Sequence, residues 1–158
     1  VAFPISPVVA NPAVARVDAT LPAAGAWDTA PVEIACAGYD WCRFYFAYTR
    51  GGAGGAFSFR YQISPYYADD ATHAADWYDQ TIYAPAPLTP CEDVCSEIQN
   101  EYITYCATSE DTETAISVPI QLMGCVERLR VQCAESGNVD APGDLEVVVL
   151  FYGHSTEG

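Results

Sequence analysis

Seven cysteines, two histidines and a surplus of carboxylates carry whatever chemistry this 158-residue chain can do. Histidine is the usual general base near neutral pH. His73 lies in the polar, tyrosine-bearing stretch SPYYADDATHAA and His154 in a Gly/Ser-rich tail, with nothing around either to make a catalytic set. Adjoining carboxylates such as Asp69 and Asp70, or Glu110 and Asp111, are the type of pair that flanks a glycosidic bond in hydrolases. Both pairs sit in polar loops without a surrounding signature, so they read as surface groups. No residue is assigned a catalytic role, and the chain is expected not to be an enzyme. Asp69, Asp70, Asp76 and Asp79 offer oxygen ligands but lack the D-x-D-x-D-G spacing of a calcium loop. A solvated acidic loop is the expectation, with no metal and no cofactor.

The cysteines are Cys36, Cys42, Cys91, Cys95, Cys106, Cys125 and Cys133. They lack a strong zinc spacing, the CxxC of thioredoxin-type exchange and the CxxCH of haem attachment. Disulfides are therefore expected, and with them an oxidising compartment. A turn at residues 38–40 would bring Cys36 and Cys42 within the ~7 Å between Cα atoms that a bridge requires. Cys91, Cys95, Cys106, Cys125 and Cys133 are expected in further bridges, with Cys106 a candidate partner for the Cys91 and Cys95 pair. An odd total leaves one thiol free or joined to another chain.

Charge narrows the partners. There are 21 acidic residues against six arginines and no lysine, a formal net charge of -15. A polyanion meets no basic run in such a chain, so nucleic acid is excluded as a partner. Without lysine, Lys–Asn isopeptide cross-links are excluded, and trypsin-type cleavage sites are few. No run approaches the ~18 apolar residues of a membrane-spanning helix, so no membrane insertion is expected. The sequence starts at Val1 rather than at a methionine, which suggests that a secretion signal has been removed. A secreted, extracellular or cell-surface location fits these readings.

The elements that must position these groups are mostly strands. Residues 39–65, YDWCRFYFAYTRGGAGGAFSFRYQISP, hold two aromatic period-2 patterns either side of a glycine-rich turn, which reads as a β-hairpin at the centre of a sheet. Phe57, Phe59, Tyr61 and Ile63 alternate with Ser58, Arg60, Gln62 and Ser64 in one arm. In the other, Cys42, Phe44, Phe46 and Tyr48 share a face. Upstream, residues 1–12 (VAFPISPVVANP) are apolar but broken by three prolines, so they cannot form a central strand. Residues 1–13 are read as an extended arm and residues 14–158 as one domain, with a Cys-rich insert near 85–113. Residues 31–35, 76–84, 101–106, 116–122 and 129–133 also read as strands. Residues 145–152 (LEVVVLFY) are almost continuously apolar, which predicts a strand covered on both faces. About eight short strands with regular turn signals predict an all-β, jelly-roll-like sandwich of two sheets.

The aromatic strand, the YTRGGAGG turn, the alternating strand after it and the closing PG-strand at Pro142 and Gly143 resemble those of bacterial and phage-associated secreted jelly-roll domains. The resemblance covers most of residues 31–153 and implies a fold, not an activity. Two functions remain from different classes. One is a structural subunit of an extracellular filament, tube or surface layer, a homopolymer joined through Val1, Phe3, Ile5, Val8 and Val9 of the arm packed on a neighbouring copy. The alternative is a carbohydrate-binding module that holds a glycan on the exposed aromatics Trp41, Tyr45, Trp77 and Tyr78.

Overall fold

The computed structural model describes residues 12–80, 82–83, 99–100, 103–117, 119–122 and 126–153. They form twelve strands: β1 (Ala13–Thr20), β2 (Ile34–Ala35), β3 (Trp41–Thr49), β4 (Ala56–Ser64), β5 (Tyr78–Asp79), β6 (Ile82–Tyr83), β7 (Gln99–Asn100), β8 (Ile103–Cys106), β9 (Glu113–Ile116), β10 (Ile120–Gln121), β11 (Arg128–Glu135) and β12 (Asp144–Tyr152). The first sheet runs β1-β12-β3-β10, with β9 also paired to β3; the second runs β2-β11-β4-β5, with β8 also paired to β4. All of their pairings are antiparallel. The two sheets pack against each other, so the chain is an all-β sandwich. No helix among the described residues is long and apolar enough to cross a membrane.

The aromatic pair at the centre is not a hairpin. β3 lies in the first sheet and β4 in the second, and their ladders run to β12 and β11 instead. Residues 50–55 are therefore an arch that carries the chain from one layer to the other, a step of about 10 Å. The alternation was legible, but a strand with one buried face looks the same whether its chain neighbour lies beside it or across the core. Here the two aromatic faces meet. Phe44 lies 4.9 Å from Phe59, Phe46 lies 5.3 Å from Phe57 and 4.9 Å edge-on from Phe59, and Tyr48 lies 5.2 Å from Phe57. Tilted aromatic pairs of this kind add to the burial of their area.

The second arch, between β11 and β12, packs on the first. A Cβ on Gly137 would stand 2.1 Å from the Gly54 carbonyl oxygen, so only glycine fits where the two backbones touch. Gly54 has φ of +77°, a left-handed conformation that glycine takes without strain. One buried carboxylate joins both arches. Glu135, 1% exposed, accepts hydrogen bonds from the Tyr48 hydroxyl (2.7 Å), the amides of Ala56 and Gly143 (both 2.9 Å), and the amides of Gly137 (3.1 Å) and Asn138 (3.2 Å). At the β1 edge, Asp28 takes Arg16 Nε of the first sheet at 3.0 Å and the Cys133 amide of the second at 3.0 Å.

Two other expectations change. Residues 145–152 alternate strictly: Leu145, Val147, Val149 and Phe151 are in the core, while Val148, Leu150 and Tyr152 face outward, half-buried. Among the described residues the strand is thus fully buried on one face only. Pro119 falls between β9 and β10, splitting the strand read at residues 116–122 into two short segments on β3.

Replacing Glu135 with Ala should lower stability by about 3 kcal/mol or more, since each buried donor left without an acceptor costs ~1–3 kcal/mol. Urea unfolding monitored by tryptophan fluorescence measures it. A change within ~0.5 kcal/mol would contradict the arrangement.

Candidate functional site

The residues singled out in the sequence fall in four different places. The arm residues Val1, Phe3, Ile5, Val8 and Val9, and the cysteines Cys91, Cys95 and Cys125, lie outside the described residues, as does His154. Cys36 and Cys42 do not bridge: both are free thiols, fully buried. Gly38 does turn the chain between them, with φ of +86°, and they are near enough that a thiolate at Cys36 would raise the pKa of Cys42. Burial, and next the Glu127 carboxylate, pushes Cys36 up to about 12. Burial likewise pushes Cys42 and Cys133 well above the usual thiol range, and Cys133 is also a free thiol. Cys106 is disulfide-bonded, and no second cysteine among the described residues is its partner.

The acidic residues disperse into separate local contacts. Asp70 accepts from the Thr72 and His73 amides at 2.9 and 2.6 Å, and these bonds hold its carboxyl below the usual range. Asp76 meets His73 Nδ1 at 2.7 Å, and the imidazole stacks on Tyr66. Asp79 accepts from Gln62, and Glu110 approaches Arg50 at 3.7 Å. Among the described residues no group of three or more His, Cys, Asp or Glu could hold a metal ion.

Trp41, Tyr45, Trp77 and Tyr78 do not make one aromatic platform. Trp41 and Tyr45 are outward residues of β3, on the first sheet. Tyr78 is in β5 of the second sheet, and Trp77 directly precedes it. Trp77 lies against Arg128 and Arg130, with guanidinium carbons 4.7 and 4.2 Å from the ring centroid, and these arginines project from the outer face of β11. The two tryptophans are thus on opposite sides of the sandwich.

Each outer face has its own chemistry. On the first sheet, register places Val14 beside Val148, Val148 beside Tyr45, and Tyr45 beside Ile116. In the same way Tyr152 is beside Trp41 and Leu150 beside Arg43. Val14 is 46% exposed, Trp41 40% and Tyr45 37%. The Tyr152 hydroxyl is bonded to Tyr45, and burial followed by this bond raises its pKa. At the other end of β12 the outward residues are Asp144 and Glu146.

The second sheet's outer face is a ladder of arginine, glutamine and tryptophan. Arg60 stacks on Trp27 at 4.1 Å and donates to Gln132; Arg130 donates to Gln62. Arg128, almost fully buried, donates to the Tyr66 and Ala74 carbonyls, to Ser64 Oγ and to Glu33. This ladder was missed in the sequence, although its signal is there: Arg-Tyr-Gln in β4 and Arg-Leu-Arg-Val-Gln in β11 put Arg and Gln at successive outward positions. Comparison of the chain with family models, curated proteins and solved structures found no match.

At pH 8 a maleimide should leave Cys36, Cys42 and Cys133 unmodified in the folded protein and label them after denaturation, read by mass spectrometry of peptides. Rapid labelling of the native protein at any of the three would contradict their burial. Because Cys36 and Tyr61 are each raised to about 12 in the folded state, the folded protein keeps protons that the unfolded chain loses from about pH 9 upward. Their contribution is complete below that and is lost as pH rises toward 12. Chemical denaturation at stepped pH should show falling stability across this window, and a flat profile from pH 9 to 11 would contradict the assignment.

Proposed function

We propose that this chain is a structural subunit of an extracellular assembly, and that copies join through the outer face of the first sheet. The observation that carries the reading is the row Val14, Val148, Tyr45 and Ile116 with Trp41 and Tyr152 beside it. Contiguous apolar and aromatic side chains on a sheet face mark a surface that another chain covers. A carboxylate-rich protein of formal charge -15 has ample polar residues with which to cover that face, and places hydrophobic ones there instead. The occupant is the proline-broken arm of a neighbouring copy. β1 begins at Ala13, paired with Val149, so the chain enters the sandwich at the Tyr152 end of β12, beside the apolar patch. An arm crossing from one copy to the next there would bury Val1, Phe3, Ile5, Val8 and Val9 on aromatic side chains. The contact is head-to-tail, and such contacts build filaments when they do not close.

The second reading, glycan binding, is favoured by one observation: Trp41 and Tyr45 share the outward face of β3 and are both exposed. Trp77 and Tyr78 do not join them, which leaves two of the four rings expected there.

The test is sedimentation velocity together with negative-stain microscopy on the wild-type chain and on a Tyr45→Ser, Val148→Thr double variant. Loss of assembly by tenfold or more in concentration, at a melting temperature within a few degrees of wild type, is the expected outcome. A variant that polymerises as readily as the wild-type chain would show that this face is not the contact.

A further inference from the structure

Arg60, Gln62, Arg130 and Gln132 form a checkerboard on the second sheet. Arg60 is opposite Gln132 and Gln62 opposite Arg130, which sets the two arginines diagonally, about 7–8 Å apart along the sheet. Each guanidinium is anchored by two contacts, a ring under its flat face and an acceptor at Nε. Arg60 stacks on Trp27 and donates through Nε to Gln132 Oε1 at 2.9 Å. Arg130 stacks on Trp77 and donates through Nε to Gln62 Oε1 at 2.7 Å. The glutamines are fixed in turn, Gln62 by Asp79 Oδ1 and Gln132 by the Asp28 carbonyl. Among the described residues neither arginine has an ion-pair partner, in contrast to Arg16, Arg50 and Arg128. A guanidinium held at Nε and by its flat face, with no Nη hydrogen bond to another described residue, is organised in advance for a carboxylate.

Three of the chain's six arginines share this face while the chain as a whole carries a formal charge of -15. Contact between two copies sets acid against acid at most orientations, and like-charge contacts disfavour the wrong ones. The complement is on β12. Asp144 and Glu146 point outward two residues apart, about 6.8 Å along a strand. Glu146 has no hydrogen-bond or ion-pair partner among the described residues, and Asp144 accepts only from Thr20 Oγ1. This pair lies at the arch end of the first sheet, across from Thr49 and Ala47 and away from Trp41. It is on the opposite side of the sandwich from Arg60 and Arg130, so one copy cannot pair them internally.

We propose that the Arg60 and Arg130 forks receive Asp144 and Glu146 of a second copy, so that the second sheet of one subunit faces the acidic end of the first sheet of the next. The inference rests on the assembly reading and supplies the counter-surface that the arm alone does not. The contact is heterologous and leaves one free face at each end of a stack. Its strength falls with salt, since the Debye length is only about 8 Å at physiological ionic strength.

The experiment uses two charge-reversed chains, Arg60→Glu with Arg130→Glu, and Asp144→Arg with Glu146→Arg, each compared with wild type by sedimentation velocity. Each double variant alone should assemble at least tenfold less well than wild type, and an equimolar mixture should recover, because each then offers the other a matching face. Recovery in the mixture also shows that both variants are folded. If wild type assembles and either variant does so equally well, or the mixture fails to recover, this pairing is wrong while the assembly reading stands. Wild-type chain that sediments as a monomer at every concentration overturns the assembly reading and the pairing together. Binding of the wild-type face to an acidic polysaccharide probe, with no self-association, would assign the forks to a glycan instead.

Discussion

The arrangement depends on a buried carboxylate at the end of β11. Glu135 has its two oxygens shared among a phenol and four backbone amides drawn from both arches. A charge taken out of water is tolerated only when its hydrogen-bonding capacity is filled. Five donors fill it here. In turn, the bond to Glu135, after burial, drives the Tyr48 hydroxyl to a pKa well above the usual tyrosine range, which keeps the phenol a donor. Tyr48 ends the aromatic file of β3, and Gly143 precedes β12, so the same group holds the ends of both central strands of the first sheet and, through Ala56, the start of β4 in the second.

That clamp has a consequence for the surfaces. Both central connections cross between layers, so β3 and β12 pair in one sheet, β4 and β11 in the other, and each sheet turns one face outward. The outward positions of β3 and β12 carry Trp41, Tyr45, Val148, Leu150 and Tyr152 around Arg43 at one end, and Asp144 and Glu146 beside Thr49 and Ala47 at the other. Those of β4 and β11 are arginine and glutamine at Arg60, Gln62, Arg128, Arg130 and Gln132, with Ser58 and Ala134 toward the arches. A molecule with unlike faces on opposite sides is suited to directional stacking of copies. The β1 edge is closed to strand addition over part of its length, because Arg16 folds onto the Ala19 and Thr20 carbonyls and the pairing with β12 is irregular there.

Much of the fold was legible. Period-2 patterning identified β3, β4 and β11 and the core face of each, since burial of alternate residues is a local property, whereas β12 was placed as a strand but its one-sided burial was not read, because its outward Val148 and Leu150 are apolar too. Which strands lie side by side was not, because partner choice is made by the whole sandwich; the glycine-rich segment at residues 51–55 suits a tight turn and an arch alike. β1 is hard to delimit in the sequence, as its exposed residues Val14 and Val17 are apolar and blur the alternation. The candidate site was less legible still. Cys36 and Cys42 were correctly brought to the same turn, but spacing sets proximity and not bond formation. Trp41 and Trp77 were grouped by residue type, and only the structure divides them, with Trp41 on β3 of the first sheet and Trp77 packed on the arginines of β11 in the second. The arginine ladder and Glu135 went unread because each depends on contacts between residues 68 or more positions apart.

The most direct measurement is native-state amide hydrogen exchange at Ala56 and Gly143, whose N–H groups donate to Glu135 from the two arches. Both should exchange only with global unfolding, at the same free energy as core amides of β3 and β11. Exchange at either one by local opening, at rates near those of exposed loops, would mean that the carboxylate does not join the arches and that the two faces are not held as described.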